Sequence, residues 1–185
     1  MKADFKVFID ACVLANFGVC DLLLRLAERP RLFLPIWSKK VLDEVYRVHT
    51  QKLNWKQEIA LSFQSEIRRA FPQASIDDYE QIVPHLTNDE KDRHVLAATI
   101  RAESSLILTF NLKDFSEESM KPWNVHASHP QDYLLILYEM EPMQVVSRIA
   151  AIAVKRNIGT QDVLLRLGKV LPMFSNKLID DLNLG

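Results

Sequence analysis

The sequence has only two cysteines, almost no net charge and no long apolar run. Cys12 and Cys20 are eight residues apart, which on one helix separates them by about 12 Å, too far for a disulfide. The formal net charge of -1 excludes a globally basic surface, so a polyanion would need a local basic patch or bound cations. No stretch has the ~18 apolar residues of a membrane span, and the N-terminus lacks the apolar segment of a signal peptide. We therefore expect a cytoplasmic protein with reduced thiols.

Short apolar runs alternate with helical patterns along the first part of the chain. They predict four buried strands, FKVFI at 5–9, RLFLPI at 31–36, SLILTF at 105–110 and WNVHA at 123–127. Strands that alternate with helices form a parallel sheet covered by helices. The predicted fold class is therefore α/β.

Polar side chains stand where two of the predicted strands end. Asp10 directly follows the first strand, and Thr109, Asn111 and Asp114 occur in TFNLKDF at the end of the third. Parallel α/β sheets bind ligands outside the carboxyl ends of their strands, so we expect these groups to face one crevice. Each also has a purely structural explanation, since aspartate caps helices and Asn and Asp favour turns.

Two predicted helices add further carboxylates. In the helix predicted at SKKVLDEVYRVH, Glu44 lies at the border of the apolar face. The spacing of Thr87 and Glu90 is that of a capping box and predicts the start of another helix. Asp89 and Asp92 share one face of its first turns, where the helix dipole favours negative charge.

Several carboxylates in one crevice favour a bound cation, because they cannot all ionise comfortably without a counter-charge. Hard oxygen ligands without a paired Cys/His set point to Mg²⁺ or Mn²⁺ rather than zinc. Such a site suits metal-assisted phosphodiester hydrolysis, in which cations polarise the phosphate and acidify the attacking water. A phosphatase with an aspartyl nucleophile is disfavoured, because Cys12 stands where a second aspartate is expected.

Four segments, VFIDACVLAN, VLDEV, NDEKDRHVLAATIRA and LILTFNLKDF, resemble the PIN-domain nucleases in their order and spacing. The similarity is to the bacterial branch that includes VapC-type toxins. It implies a PIN-like α/β/α sandwich with a central, mainly parallel sheet. It also implies a Mg²⁺- or Mn²⁺-dependent endoribonuclease, the toxin of a type II toxin–antitoxin pair, with RNA as substrate and an antitoxin protein as partner.

The resemblance implies a role for each polar residue of the crevice. Its four metal-binding and catalytic acids are Asp10, Glu44, Asp92 and Asp114. Asp89, Thr109 and Asn111 would support them. The number of cations stays open, as does the choice between Asn111 and Asp114 as the group that contacts metal.

Basic residues beside the predicted acids are candidates for RNA binding. They are Lys39, Lys40, Arg93 and Lys113. Each is also explained as an ordinary solvated charge. We expect His94 to pack or to support a ligand rather than bind metal, since it has no second histidine one turn away. The alternative function is a catalytically silent PIN-like module that binds RNA or a protein.

The chain is predicted to be helical after Pro130, with breaks near Pro142, Gly159 and Pro172. We expect a nuclease domain at residues 1–141 and a C-terminal helical extension at residues 142–185. Apolar residues recur in the extension at helical spacing, which favours packing on the domain. A surface for a homodimer or for the antitoxin is the alternative.

Overall fold

In a computed structural model, which describes residues 4–184, five parallel strands form one sheet. The strands are β1 at Lys6–Ile9, β2 at Leu34–Ser38, β3 at Ser75–Ile76, β4 at Leu106–Leu108 and β5 at His126–Ser128. Their order across the sheet is β3-β2-β1-β4-β5. The central strand β1 pairs Phe8 with Ile36 on one side and with Ile107 on the other. Because helices cover both faces of a parallel sheet, its strands are buried apolar runs.

Helices connect these strands and cover the sheet. They are α1 at Ala11–Leu14, α2 at Phe17–Ala27, α3 at Lys39–Arg47, α4 at Gln57–Ala70, α5 at Arg93–Arg101 and α6 at Glu117–Met120. Side-chain caps explain several of their starts. Asp10 caps α1, Asn16 accepts from Val19 N at 3.2 Å to cap α2, and Ser38 caps α3 through Val41 N.

The C-terminal part is helical, as predicted. Its helices are α7 at Pro130–Met140, α8 at Pro142–Arg156, α9 at Thr160–Leu167 and α10 at Pro172–Asp181. Packing joins α8 to α2, and α10 to α7 and α9. Apolar residues of these helices belong to the same buried cluster as the sheet. The division into two parts at residues 141 and 142 stays a prediction.

The predicted α/β fold with C-terminal helices is confirmed, while several boundaries differ. The two-residue strand β3 is absent from the sequence prediction, and β5 begins at His126, whereas Trp123 ends a 3₁₀ turn. The capping-box prediction at Thr87 is wrong. Asp89 instead caps a 3₁₀ turn at Glu90–Asp92, and α5 begins only after that turn.

Two predictions about cysteines and membrane spans can be compared with the structure. Cys12 and Cys20 are both free thiols, and Cys20 is buried. Between residues 4 and 184, no helix is long and apolar enough to cross a bilayer.

Candidate active site

The carboxylate of Asp10 is held rigidly at the carboxyl end of β1. Its residue is only 5% exposed, and its backbone N–H donates to Leu108 O of the neighbouring strand at 3.0 Å. Oδ1 accepts from Ala11 N at 2.6 Å, which caps α1. Oδ2 accepts from Thr109 Oγ1 at 2.7 Å and from Cys12 Sγ at 3.1 Å. Both oxygens are thus oriented by donors, and capping is only part of what Asp10 does.

Thr109 connects this carboxylate to the loop after β4. Its buried hydroxyl donates to Asp10 and accepts from Asn111 N at 3.0 Å. Phe110 N donates to Cys12 Sγ at 3.3 Å. Beyond it, Asp114 N donates to Asn111 O at 3.0 Å and closes a 3₁₀ turn at Leu112–Asp114. The loop therefore delivers half-buried Asp114 to the same end of the sheet, whereas Asn111 is exposed.

Asp92 lies close to the other acids of the site. It is half-buried just before α5, and its side chain makes no capping hydrogen bond. Burial is the largest cause that raises the pKa of Asp92, to about 6, followed by the charges of Asp10 and Asp114. Asp89 adds a smaller rise, and His94 opposes it. The acids after β1, before α5 and after β4 therefore form one electrostatic group.

Glu44 approaches this group from α3 through a histidine. Its Oε1 lies 3.2 Å from His94 Nε2 and 3.8 Å from an Arg47 guanidinium nitrogen. His94 is 3% exposed, while the Glu44 side chain is 26% exposed. The 3.2 Å contact is close enough for an ion pair but lacks the alignment of a hydrogen bond. Neither ring nitrogen of His94 has a hydrogen-bond partner among residues 4–184.

Comparison with known proteins assigns the family. A model of the PIN domain matches residues 3–113. The chain belongs to the PIN domain family. A curated protein of Mycobacterium tuberculosis, named "Putative ribonuclease VapC50", is 34% identical over 102 residues. That match covers 54% of this chain and 60% of the length of the mycobacterial protein. No solved structure matches.

The predicted membership in the PIN domain family, VapC-type branch, is confirmed. The region matched by the PIN model contains Asp10, Glu44 and Asp92 and ends one residue before Asp114. It therefore includes β1 to β4 and the acids that those elements carry, but none of the C-terminal helices.

The donor set of this PIN domain fits a hard, hydrated divalent cation. Within residues 4–184, no three His, Cys, Asp or Glu side chains stand close enough together to enclose a metal ion. Mg²⁺ does not need such a cage, because it retains several waters and takes one or two carboxylates plus substrate phosphate. Burial and the charge of Asp10 raise the pKa of the Cys12 thiol to about 12, so this sulfur does not offer a soft thiolate. Carboxylate oxygens are the available ligands.

The predicted RNA-binding residues lie at the same end of the PIN-domain sheet. Lys39 and Lys40 are exposed at the start of α3, and Lys39 Nζ contacts Asp43 Oδ2 at 2.6 Å. Lys113 is exposed next to Asp114 in the loop after β4. Arg93 is half-buried at the start of α5, and its Nε donates to the backbone of Asn88 at 3.2 Å.

Sequence reasoning misses three polar features beside the acids. The pattern around Cys12 suggests only a buried thiol, although its place two residues after Asp10 puts it against the carboxylate. The contact between His94 and Glu44 depends on how α3 and α5 pack, which no local pattern reports. Asn88 is buried, and neither polar atom of its side chain has a partner in the described chain.

Proposed function

We propose that this protein is a divalent-metal-dependent endoribonuclease that hydrolyses phosphodiester bonds in RNA. The observation that carries the proposal is the placement of Asp10 after β1, Asp92 before α5 and Asp114 after β4 at one end of the sheet, where burial and the charges of the other two acids raise the pKa of Asp92. Like charges that crowd a half-buried carboxyl are unfavourable unless a cation joins them. Membership in the PIN domain family supports a nuclease.

Asp10, Glu44, Asp92 and Asp114 are the residues that would hold Mg²⁺ or Mn²⁺. When bound, the cation polarises the scissile phosphate and lowers the pKa of the attacking water. Asp10 needs no reorganisation for this task, since Thr109 and the first turn of α1 already orient both oxygens. Such preorganisation lowers the free energy of reaching the transition state.

The surrounding residues orient the acids and bind the substrate. Thr109 and Asn111 keep the loop after β4 closed, so that Asp114 stays beside Asp92. Asp89 adds negative charge at the rim of the group. The exposed ammonium groups of Lys40 and Lys113 are free to contact phosphates, which position RNA without reading its sequence.

The biological role that we infer is that of a cytoplasmic toxin in a type II toxin–antitoxin pair. The name of the mycobacterial relative supports this role, although the match spans 60% of that protein. A dedicated partner protein would act as antitoxin. Expression of the wild-type chain should arrest bacterial growth, whereas expression of Asp92→Asn should not. Co-expression of the reading frame next to its gene, which would encode the antitoxin, should restore growth of cells that express the wild-type chain.

The catalytic proposal is tested by incubating the full chain with total bacterial RNA and Mg²⁺ or Mn²⁺. Wild type should cleave, chelation should stop cleavage, and Asp92→Asn should lower the rate more than about a hundredfold, because a ligand is lost. Asp180→Asn, which alters an exposed aspartate of α10, is the matched control and should cleave normally.

Undiminished metal-dependent cleavage by Asp92→Asn would contradict the proposal. Wild type that neither cleaves nor gains thermal stability from Mn²⁺ would instead support the catalytically silent module, since a ligand of the folded state must stabilise it.

A further inference from the structure

The structure buries two histidines within residues 4–184, in very different surroundings. His49 belongs to an aromatic cluster, where its ring stacks on Trp55 with centroids 3.9 Å apart. Its Nε2 lies 3.3 Å from Ala15 O. His94 instead sits in the first turn of α5, and its Nε2 lies 3.2 Å from a carboxylate oxygen of Glu44. The second environment is polar and includes a predicted metal ligand.

Packing alone does not explain an imidazole at position 94. Ala97 and Ala98, three and four residues further on, share this face of α5 and are fully buried, so an apolar side chain would suit it. Both ring nitrogens of His94 lack hydrogen-bond partners in the described part of the chain. A buried polar atom without a partner is unfavourable. The polar atoms of His94 therefore need a function, and the nearest charged group is Glu44.

Glu44 needs a neighbour that limits its motion. Its side chain is partly exposed, and its other charged neighbour, Arg47, lies 3.8 Å away on the solvent side of the helix and is mostly exposed. Asp10, by comparison, is oriented by donors on both oxygens. Donors that do not touch a metal commonly orient the carboxylates that do, and their removal lowers metal affinity.

We propose that His94 is a positioning residue: its Nε2 lies 3.2 Å from the Glu44 carboxylate and, once the cation binds, donates the hydrogen bond that holds Glu44 toward the metal site. This inference rests on the proposed function, because it assumes that Glu44 binds the cation. The role needs only a donor at Nε2 and does not depend on the charge of the ring. His94 thereby couples α5, which carries Asp92, to α3, which carries Glu44.

The test is a Mn²⁺ titration of the melting temperature of the full chain, which measures metal binding without RNA or turnover. In His94→Leu, the Mn²⁺ concentration for half of the maximal shift should rise about 10- to 100-fold. His94→Gln places an amide N–H near the position of Nε2 and should stay within about threefold of wild type. His49→Leu, the matched control for a buried histidine, should melt lower without metal and keep its Mn²⁺ midpoint within about twofold.

A second substitution distinguishes positioning from a general structural role. In a Glu44→Gln background, His94→Leu should change the Mn²⁺ midpoint less than about twofold, because the group that His94 positions is gone. An effect of full size in that background would overturn the proposal, as would an unchanged midpoint for His94→Leu alone.

Three further outcomes also decide the matter. If His94→Leu does not fold, His94→Asn replaces it, because its shorter amide cannot reach Glu44, and equal midpoints for Asn and Gln would overturn the proposal. A wild-type protein without any Mn²⁺ shift would overturn the proposed function together with this inference. A wild-type shift that no His94 substitution alters would overturn the inference alone.

Discussion

The carboxyl end of the sheet and the C-terminal helices differ in whether their charged side chains form ion pairs. Within residues 4–184, Asp10, Asp92 and Asp114 form no ion pair with lysine or arginine. In the C-terminal helices, Arg156 contacts Asp21 at 2.7 Å and joins α8 to α2. One region therefore concentrates unpaired like charges, and the other uses opposite charges to attach a helix.

This difference indicates that the residues suited to binding a ligand are not the residues that stabilise the fold. Unpaired carboxylates that crowd one another destabilise a fold, so their arrangement is best explained by a ligand of opposite charge. The C-terminal helices bury apolar side chains such as Phe174 and Leu164 in the common core, which stabilises without adding chemistry. Substitutions in the two regions should therefore have opposite consequences.

The largest loss of stability is expected from Phe174→Ala. Phe174 has no exposed surface, and its truncation leaves a cavity that costs about 3–5 kcal/mol. The melting temperature should fall by about 10 °C, and the cleavage rate per folded molecule should not change. Thermal melts and initial rates measured at a temperature where both proteins are folded would check this. A selective loss of cleavage would show that the C-terminal helices serve the site directly.

Thr109→Val should affect both stability and activity, because Thr109 belongs to the carboxyl end and to the buried core. Loss of its hydrogen bond to the Asp10 carboxylate should cost about 1.5–3 kcal/mol. We expect cleavage to fall about tenfold, since Asp10 loses one orienting donor. Thr109→Ser retains the hydroxyl and is the control. Equal effects of Val and Ser on the rate would contradict the role of this hydrogen bond.

Arg156→Ala should have a smaller effect, confined to stability. Its guanidinium contacts Asp21 and lies 5.2 Å from the ring centre of Phe17. Both groups are partly exposed, so we expect a loss of about 1 kcal/mol. Urea denaturation measures it, and Lys177→Ala, which removes an exposed pair within α10, should cost less. A change in Mn²⁺ affinity would contradict the separation of the two regions.

A gain of stability that depends on pH, opposite in sign to the losses above, is expected from Asp92→Asn. The folded protein raises the pKa of Asp92 from 3.8 to about 6, so it binds this proton more tightly than the unfolded chain does. Stability conferred by the protonated form is lost as pH rises through this range, and Asp92 is destabilising above it. Without metal, Asp92→Asn should melt higher than wild type at pH 8, and the difference should vanish as pH falls below about 4. A difference that is constant with pH would contradict the crowding of these carboxylates.

Much of the fold is predictable, because its central strands are buried apolar runs and its helices begin at recognisable caps. Phe8 and Ile107 illustrate the first and Ser38 the second. The edge strand β3 is not, since two residues carry no periodicity and are defined as a strand only by their pairing with β2. The predicted start of α5 is misplaced because Asp89 caps a 3₁₀ turn that no local spacing separates from an α-helix.

The candidate site is only partly predictable for a related reason. Acids at strand ends converge by topology, which is why the sequence alone places Asp10 and Asp114 near Asp92. Contacts between side chains of different helices, such as His94 with Glu44, depend on helix packing. The assignment of metal-binding roles to these residues stays a prediction.

A crystal structure grown with Mn²⁺, with the ion located by its anomalous scattering, tests the central claim most directly. The claim is that the acids at the carboxyl end of the sheet share a divalent cation. We predict a Mn²⁺ ion held between Asp10 and Asp92 by carboxylate oxygens of the group Asp10, Glu44, Asp92 and Asp114. Saturating Mn²⁺ with no anomalous peak between Asp10 and Asp92 would contradict the claim.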